Sequence, residues 1–308
     1  MLIRTTCSLV PGFHLLTFGD TCLYILHSEQ ETVLFDCGLA VHLLRLKERI
    51  SALEESIKKI DTLLLTSLDP ARVGGLPFLR KMFPELRVYG SSLMQHKLQE
   101  PAFQNALYTT HQELCSKFPT LSDQVAGSFE EYTALLTIDR TISQTQSLAV
   151  GKLALRVIPS PGHTEESLGY LILPHNILVA DQTYGYFRGK DVTTPGADYS
   201  LDKSLESVLH LKDIELFALC FPYQGTVTGS LIQKHLKSVQ QNSADVVKEV
   251  AEAKAQELEL SDVQNSIRSA LYVTDSTDPI FRHALLRSFT TLWTQITKPT
   301  EAETTPGI

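Results

Sequence analysis

The chain has 308 residues, 43% of them hydrophobic and 20% charged, enough apolar material to bury a substantial core and too much for a disordered polypeptide. Asp and Glu number 35 against 27 Lys and Arg, a net charge of -8, and no Lys/Arg-rich block occurs. That balance argues against a protein that binds nucleic-acid backbones.

In chain order, residues 13–19 (FHLLTFG), 22–28 (CLYILHS) and 32–38 (TVLFDCG) are short apolar runs closed by Gly or Ser. They predict three consecutive strands joined by hairpins. Residues 39–60 place apolar side chains at three-to-four spacing among charges, predicting one amphipathic helix. A strand at 61–67 (DTLLLTS), a helix at 73–83 and a strand at 86–91 follow, and this alternation implies an α/β layered fold. Residues 93–136 carry helical signals and read as an insertion between two halves of the sheet system. The β pattern returns at 147–160, 169–175 and 177–182, and residues 217–225 (FALCFPYQG) read as the last strand and loop. The expected organisation is therefore a layered domain at 1–229, a C-terminal helical cap at 230–298 and a disordered polar tail at 299–308.

The five cysteines, Cys7, Cys22, Cys37, Cys115 and Cys220, are scattered and form no C-x-x-C pair. With no signal-peptide core and no window approaching the roughly 18 apolar residues of a membrane span, a cytoplasmic protein is expected.

Three loops that follow strand ends hold polar groups beside glycines or aromatics. They are residues 65–75 (LTSLDPARVGG), 159–167 (PSPGHTEES) and 179–182 (VADQ). Strand ends are where α/β scaffolds place ligands, so these loops are the candidate site. Tyr184, Tyr186 and Phe187, just beyond Asp181, are candidate pocket linings, with core packing as the competing reading.

These motifs, in this order across roughly residues 10–230, resemble the metallo-β-lactamase fold superfamily. In that family a strand ends in T-H-x-H-x-D-H-x-G-G, a later loop reads P-G-H-T-x-G-S, another strand ends in G-D, and a last strand presents one more His. The resemblance implies a four-layer αβ/βα sandwich, with Asp36 of VLFDCG structural. It places the family's metal ligands on Ser67, Asp69, Ala71, Arg72, His163, Asp181 and Gln224. Only His163 and Asp181 are the expected residue types. Ala71 offers no donor, Arg72 is permanently cationic and Gln224 is a weak carbonyl donor, so the second metal is expected to be absent. Asp69, His163 and Asp181 supply two carboxylates and one imidazole, which suffices for at most one divalent ion such as Zn, Fe or Mn. The expectation is nevertheless no cofactor, with the Arg72 guanidinium in the vacated site, paired with Asp181 or Asp69.

The C-terminal helices resemble those of glyoxalase II-like enzymes and of the quorum-sensing response thioesterase group, which implies a pocket closed by helices. The expected function is that of a degenerate family member without a dinuclear centre. It would bind a small anionic ligand through Arg72, Ser67, Gln224 and Tyr184, or support a regulatory interaction with a protein partner. The rival is a mononuclear metal-dependent hydrolase of thioester or phosphoester bonds. No catalytic residue is assigned, neither nucleic acid nor membrane is expected as a partner, and a homodimer is compatible with the sequence.

Overall fold

The computed structural model describes residues 1–53, 56–125, 127–143, 146–187, 193–261 and 276–296. The tail expected at 299–308 lies outside them. Two seven-stranded mixed sheets stack face to face. One runs, in spatial order, Cys7–Val10, Phe13–Phe18, Thr21–His27, Thr32–Phe35, Thr62–Leu64, Arg87–Ser91 and Arg140–Ile142. Its first four strands pair antiparallel and its last four parallel, the switch falling at Thr32–Phe35. The other runs Leu2–Ile3, Thr226–Thr228, Ala218–Cys220, Ile177–Val179, Leu168–Leu173, Leu153–Pro159 and Ser147–Val150. Ile177–Val179 and Ala218–Cys220 pair parallel, because helix Leu201–His210 crosses between them.

The inner faces of both sheets form one apolar cluster that includes Phe13, Tyr24, Phe35, Leu63, Val157, Tyr170 and Val179. Tyr24 and Tyr170 carry hydroxyls into this core, and both are satisfied. Tyr24 donates to the carbonyls of Phe221 and Gly225 at 2.9 and 3.0 Å, and Tyr170 to that of Leu65 at 2.7 Å. These bonds tie strand ends of one sheet to loops of the other, as buried hydroxyls must be paired. Helices cover the outer faces, so the order is helix, sheet, sheet, helix.

The helix expected at 39–60 is two helices, Ala40–Leu43 and Leu46–Leu53. The backbone tightens between them, where Arg45 N–H donates to the carbonyl of His42, three residues back. The helix expected from residue 73 begins instead at Leu76 and runs to Met82. Gly74 and Gly75 separate it from the short helix Pro70–Val73, and both positions need glycine: a Cβ at Gly75 would lie 2.9 Å from the carbonyl oxygen of Gly38, and one at Gly74 2.4 Å from that of Pro70.

Between Arg87–Ser91 and Arg140–Ile142 come helices Ser92–Leu98, Pro101–Ser116, Pro119–Ser122 and Phe129–Ala134. After the last strand, Ser230–Ala255 and Pro279–Gln295 form the C-terminal pair. The second of these buries Ile280, Phe281, Ala284, Leu285, Phe289 and Leu292, an apolar stripe at three-to-four spacing, in a cluster with Tyr186, Tyr223, Val246 and Val250, with Ser288 buried beside it. Among the described residues no helix is long and apolar enough to cross a membrane.

Candidate functional site

The site is assembled from loops at the ends of the two sheets and one side chain from the last helix. Asp36, which ends Thr32–Phe35 with a positive φ of 56°, accepts from Thr66 twice, N–H to Oδ1 at 2.7 Å and Oγ1–H to Oδ2 at 2.6 Å. It thereby fixes the start of the 66–75 loop. Burial pushes its carboxyl up to about 7, against the opposing pull of Arg72 and the Thr66 bonds. Three residues beyond Thr66, Asp69 caps the short helix Pro70–Val73, its Oδ1 accepting from Ala71 N–H at 2.8 Å. The 161–167 loop is tied to the same region by Glu166. Its Oε1 accepts from Leu68 N–H at 3.3 Å and its Oε2 meets Lys97 Nζ at 2.7 Å.

His163 is held where it is by two features of its loop. Its own N–H donates to Thr183 Oγ1 at 3.0 Å, and Thr183 in turn donates to the carbonyl of Ser160 at 2.7 Å. Gly162 before it has φ 152°, and a Cβ there would stand 2.5 Å from the Cα of Ser204. The Gly162 carbonyl accepts from the N–H groups of Tyr199 and Ser200, both at 3.0 Å, so the start of Leu201–His210 lies directly against the loop. That packing delivers Asp198.

Three carboxylates therefore surround the buried imidazole. Nε2 lies 3.6 Å from Asp69 Oδ2 and 3.5 Å from Asp198 Oδ2, and Nδ1 lies 3.5 Å from Asp181 Oδ2. Burial alone would lower the imidazole pKa, but Asp198, Asp181 and Asp69 together raise it. Asp181 is itself engaged: Ser167 Oγ donates to its Oδ2, and Thr183 N–H to its Oδ1 at 2.9 Å.

The positive charge among these groups comes from the last helix. Arg287 Nη2 donates to Asp69 Oδ2, Arg287 Nε donates to Asp198 Oδ2, and Nη2 stands 3.2 Å from His163 Nε2. Ser288, next in the chain, donates to Asp198 Oδ1. Burial disfavours the charged form of Asp69, yet Arg287, His163 and Arg72 hold its carboxyl well below the usual carboxylate range. The helix that brings Arg287 is anchored at its start by Asp278. Oδ1 of that residue accepts from Ile280 and Phe281 N–H at 2.9 and 3.1 Å, and Oδ2 from Asp20 N–H at 2.9 Å.

Arg72 is placed differently from the expectation of an ion pair with Asp181 or Asp69. Among the described residues no carboxylate lies within ion-pair distance of it. Its guanidinium is wholly buried, with the Cζ 4.5 Å from the ring centroid of Tyr223, and Nη1 donates to the Pro222 carbonyl at 3.3 Å. The physical reason is local. The helix Pro70–Val73 turns Asp69 toward Arg287 while its third residue points under the 221–225 loop, so adjacent motif positions face different neighbours.

The remaining expected residues are dispersed. Ser67 is buried, and its Oγ accepts from Asp69 N–H at 3.4 Å. Gln224 adopts φ 62°, donates its backbone N–H to the carbonyl of Asp20 at 2.8 Å, and leaves its buried Oε1 without a partner among the described residues. Tyr184 is wholly buried in the apolar cluster of Leu178, Val208, Leu236 and Val239. Asp198 and Arg287 were not singled out from the sequence. The one signal for Arg287 is a cation at the edge of the apolar stripe of its helix, between Ala284 and Ser288.

The donor set does not fit a metal ion in this arrangement. Ala71 and Arg72 cannot coordinate, both oxygens of Asp69 and of Asp181 already accept hydrogen bonds, and a guanidinium stands against Nε2 of His163. Among the described residues no group of three or more His, Cys, Asp or Glu side chains is arranged to hold one.

Two stacked mixed sheets flanked by helices, with P-G-H-T and strand-end aspartates converging at one edge, form a four-layer αβ/βα sandwich. The sequence pattern of the metallo-beta-lactamase superfamily matches residues 17–221, and the chain belongs to that superfamily. Among solved structures it is similar to a metallo-beta-lactamase family protein from Thermus thermophilus, at 16% identity over 93% of this chain and 94% of that one, with a TM-score of 0.60. It is also similar to an archaeal superfamily protein from Sulfolobus tokodaii, at 20% identity over 77% and 84% of the two chains, with a TM-score of 0.52. A third is the Cronobacter sakazakii metallo-beta-lactamase with a HARLDQ motif, at 15% identity over 82% and 99%, with a TM-score of 0.55. At such identities the likeness concerns the fold. Comparison with curated proteins finds no match.

Proposed function

We propose that this chain is a degenerate member of the superfamily that works by binding rather than by metal-dependent hydrolysis. One observation carries the reading: the Arg287 guanidinium bridges Asp69 and Asp198 beside His163, so the cleft's acidic donors are neutralised by a cation that the protein itself supplies. A resident cation repels an added one, and in a site of low effective dielectric that repulsion is strong. Hydrolysis in this fold depends on a metal-activated water, and among the described residues no histidine is hydrogen-bonded to a serine hydroxyl of the cluster: Ser67 Oγ accepts from Asp69 N–H, and Ser167 and Ser288 donate to carboxylates.

Of the two binding modes, a regulatory interaction with a protein partner has the better support. A small anion would need an accessible, uncommitted cation. Arg72 is wholly buried, and Arg287 is committed to two carboxylates. The mononuclear hydrolase remains the rival because His163 Nε2 has two carboxylate oxygens within 3.6 Å.

The test is a hydrolysis panel of a thioester, a phosphodiester and a β-lactam, each with and without added zinc or manganese. The expected outcome is no turnover above buffer in either condition. Turnover that rises with metal and disappears with chelator overturns the proposal in favour of the rival.

A further inference from the structure

We infer that a cavity under the helical insertion is a binding site for a neutral molecule of one six-membered ring carrying a hydroxyl, with the Tyr132 hydroxyl as its hydrogen-bond partner. The cavity lies between Ala40–Leu43 and Leu76–Met82 on one side and the insertion helices Pro101–Ser116 and Phe129–Ala134 on the other. Among the described residues its lining includes neither His163 nor any charged group of the cluster around it, so the two regions can be tested separately.

Size comes first. The cavity measures about 190 Å³. An apolar cavity of roughly 150 Å³ holds benzene, so a single ring with one small substituent is what fits. Ala40, Phe78 and Val125 supply apolar wall for such a ring. Tyr132 supplies the polar contact. It is buried, and its hydroxyl has no hydrogen-bond partner among the described residues. Its ring is packed edge-on against Tyr108, centroids 5.2 Å apart, and stands 5.5 Å from the ring of His111, so the hydroxyl is fixed in the cavity wall. Buried hydroxyls are costly when left unpaired and nearly always find a partner, and an oxygen on the ligand is the partner this one lacks.

Charge decides the rest. His111 is the buried titratable base of the lining, and burial lowers its imidazole to about 4, so the ring is neutral at physiological pH. A Cβ at Gly74 would stand 2.5 Å from His111 Nδ1, so the glycine is what admits the imidazole to the wall. Lys81 and Glu131 stand at the exposed rim and pair with each other at 3.4 Å, which leaves neither charge uncompensated. An ionic ligand would give up its water for a neutral interior, a transfer that burial penalises strongly. A neutral ring with one hydroxyl meets every group of the lining without that cost. It would also bridge the insertion helices to Leu76–Met82, so its binding should stabilise the insertion.

The test is a titration of the full chain with phenol, toluene and benzoate, followed by amide chemical shifts and by thermal melt. Phenol should saturate with a Kd below about 1 mM and raise the melting temperature, with shifts centred on residues 74–81, 111–112 and 127–132. Toluene has the same size without the hydroxyl and should bind about tenfold more weakly, the worth of one hydrogen bond. Benzoate should bind more weakly than phenol. Tyr132→Phe should bring phenol down to the affinity of toluene, and Ala40→Leu, which fills the cavity, should abolish binding of both. A cavity that holds only water gives no saturable shift with phenol at millimolar concentration, and that result overturns the inference. Shifts centred elsewhere, equal affinities for phenol and toluene, or benzoate bound as tightly as phenol overturn it too. If Ala40→Leu fails to fold, Tyr132→Phe decides the matter, since a folded Tyr132→Phe chain that binds phenol unchanged also overturns it.

Discussion

Arg287 and Asp69 stand 218 residues apart in the chain and are joined by a direct ion pair, Nη2 to Oδ2, at the centre of the charged cluster around His163. The contact couples the last helix to the first site loop, and the stability of the helix and the charge of the cleft become one quantity. Arg287→Ala should therefore lower stability by about 2 to 3 kcal/mol, less than the roughly 3 to 5 kcal/mol that breaking a fully buried pair costs, because part of the side chain is solvated. In a double-mutant cycle with Asp69→Asn, urea melts should give a coupling of about 1 to 2 kcal/mol. Strictly additive single effects would show that the two groups do not interact.

Arg72 leads to the opposite expectation. It is a buried cation with no carboxylate within ion-pair distance among the described residues, stacked on Tyr223. Replacing it by an apolar side chain of similar length removes a desolvation penalty and also loses its pull on Asp36 and Asp69, opposing effects, so Arg72→Met should change stability by less than about 1 kcal/mol. Arg72→Ala leaves a cavity and should cost about 2 to 4 kcal/mol. Denaturant midpoints for the two variants distinguish these cases. A loss of about 3 to 5 kcal/mol in the Met variant would restore the ion-pair role that the sequence suggested.

The contrast between these arginines shows what the sequence could convey. Asp36, Asp69, His163 and Asp181 were legible because each lies in a local motif whose strand-loop geometry is set by its immediate neighbours. The layered α/β architecture was legible for the same reason, from alternating runs. Arg287 and Asp198 were not, since their importance arises only when three distant segments meet. Nothing within 278–297 distinguishes a cation that enters a cleft from one that faces solvent. Arg72 was misplaced because the motif fixes which residue lies at a position and not which way a short helix turns its side chain.

Asp36 supplies a pH signature. Its folded carboxyl titrates at about 7, above the roughly 3.9 of an unfolded aspartate, so the folded state binds the extra proton between those values. Its contribution is a penalty fully present above pH 7 that disappears as pH falls toward 4, with an upper bound of about 4 kcal/mol. Asp36→Asn keeps an acceptor for Thr66 N–H and removes the titration. The variant should melt higher than the unsubstituted chain at pH 8, and the gap should narrow by pH 5. A constant gap across that range would show that Asp36 is ionised throughout.

The claim that the cleft's cation is Arg287 is tested most directly by the metal content of the chain itself. The protein is produced in medium supplemented with zinc, iron and manganese, purified without chelators, and assayed by elemental analysis. The account predicts less than one equivalent of all three metals together, because Asp69 and His163 already serve the guanidinium. Two equivalents per chain, removable by chelation, would contradict it and would mean that the last helix does not hold Arg287 in the site.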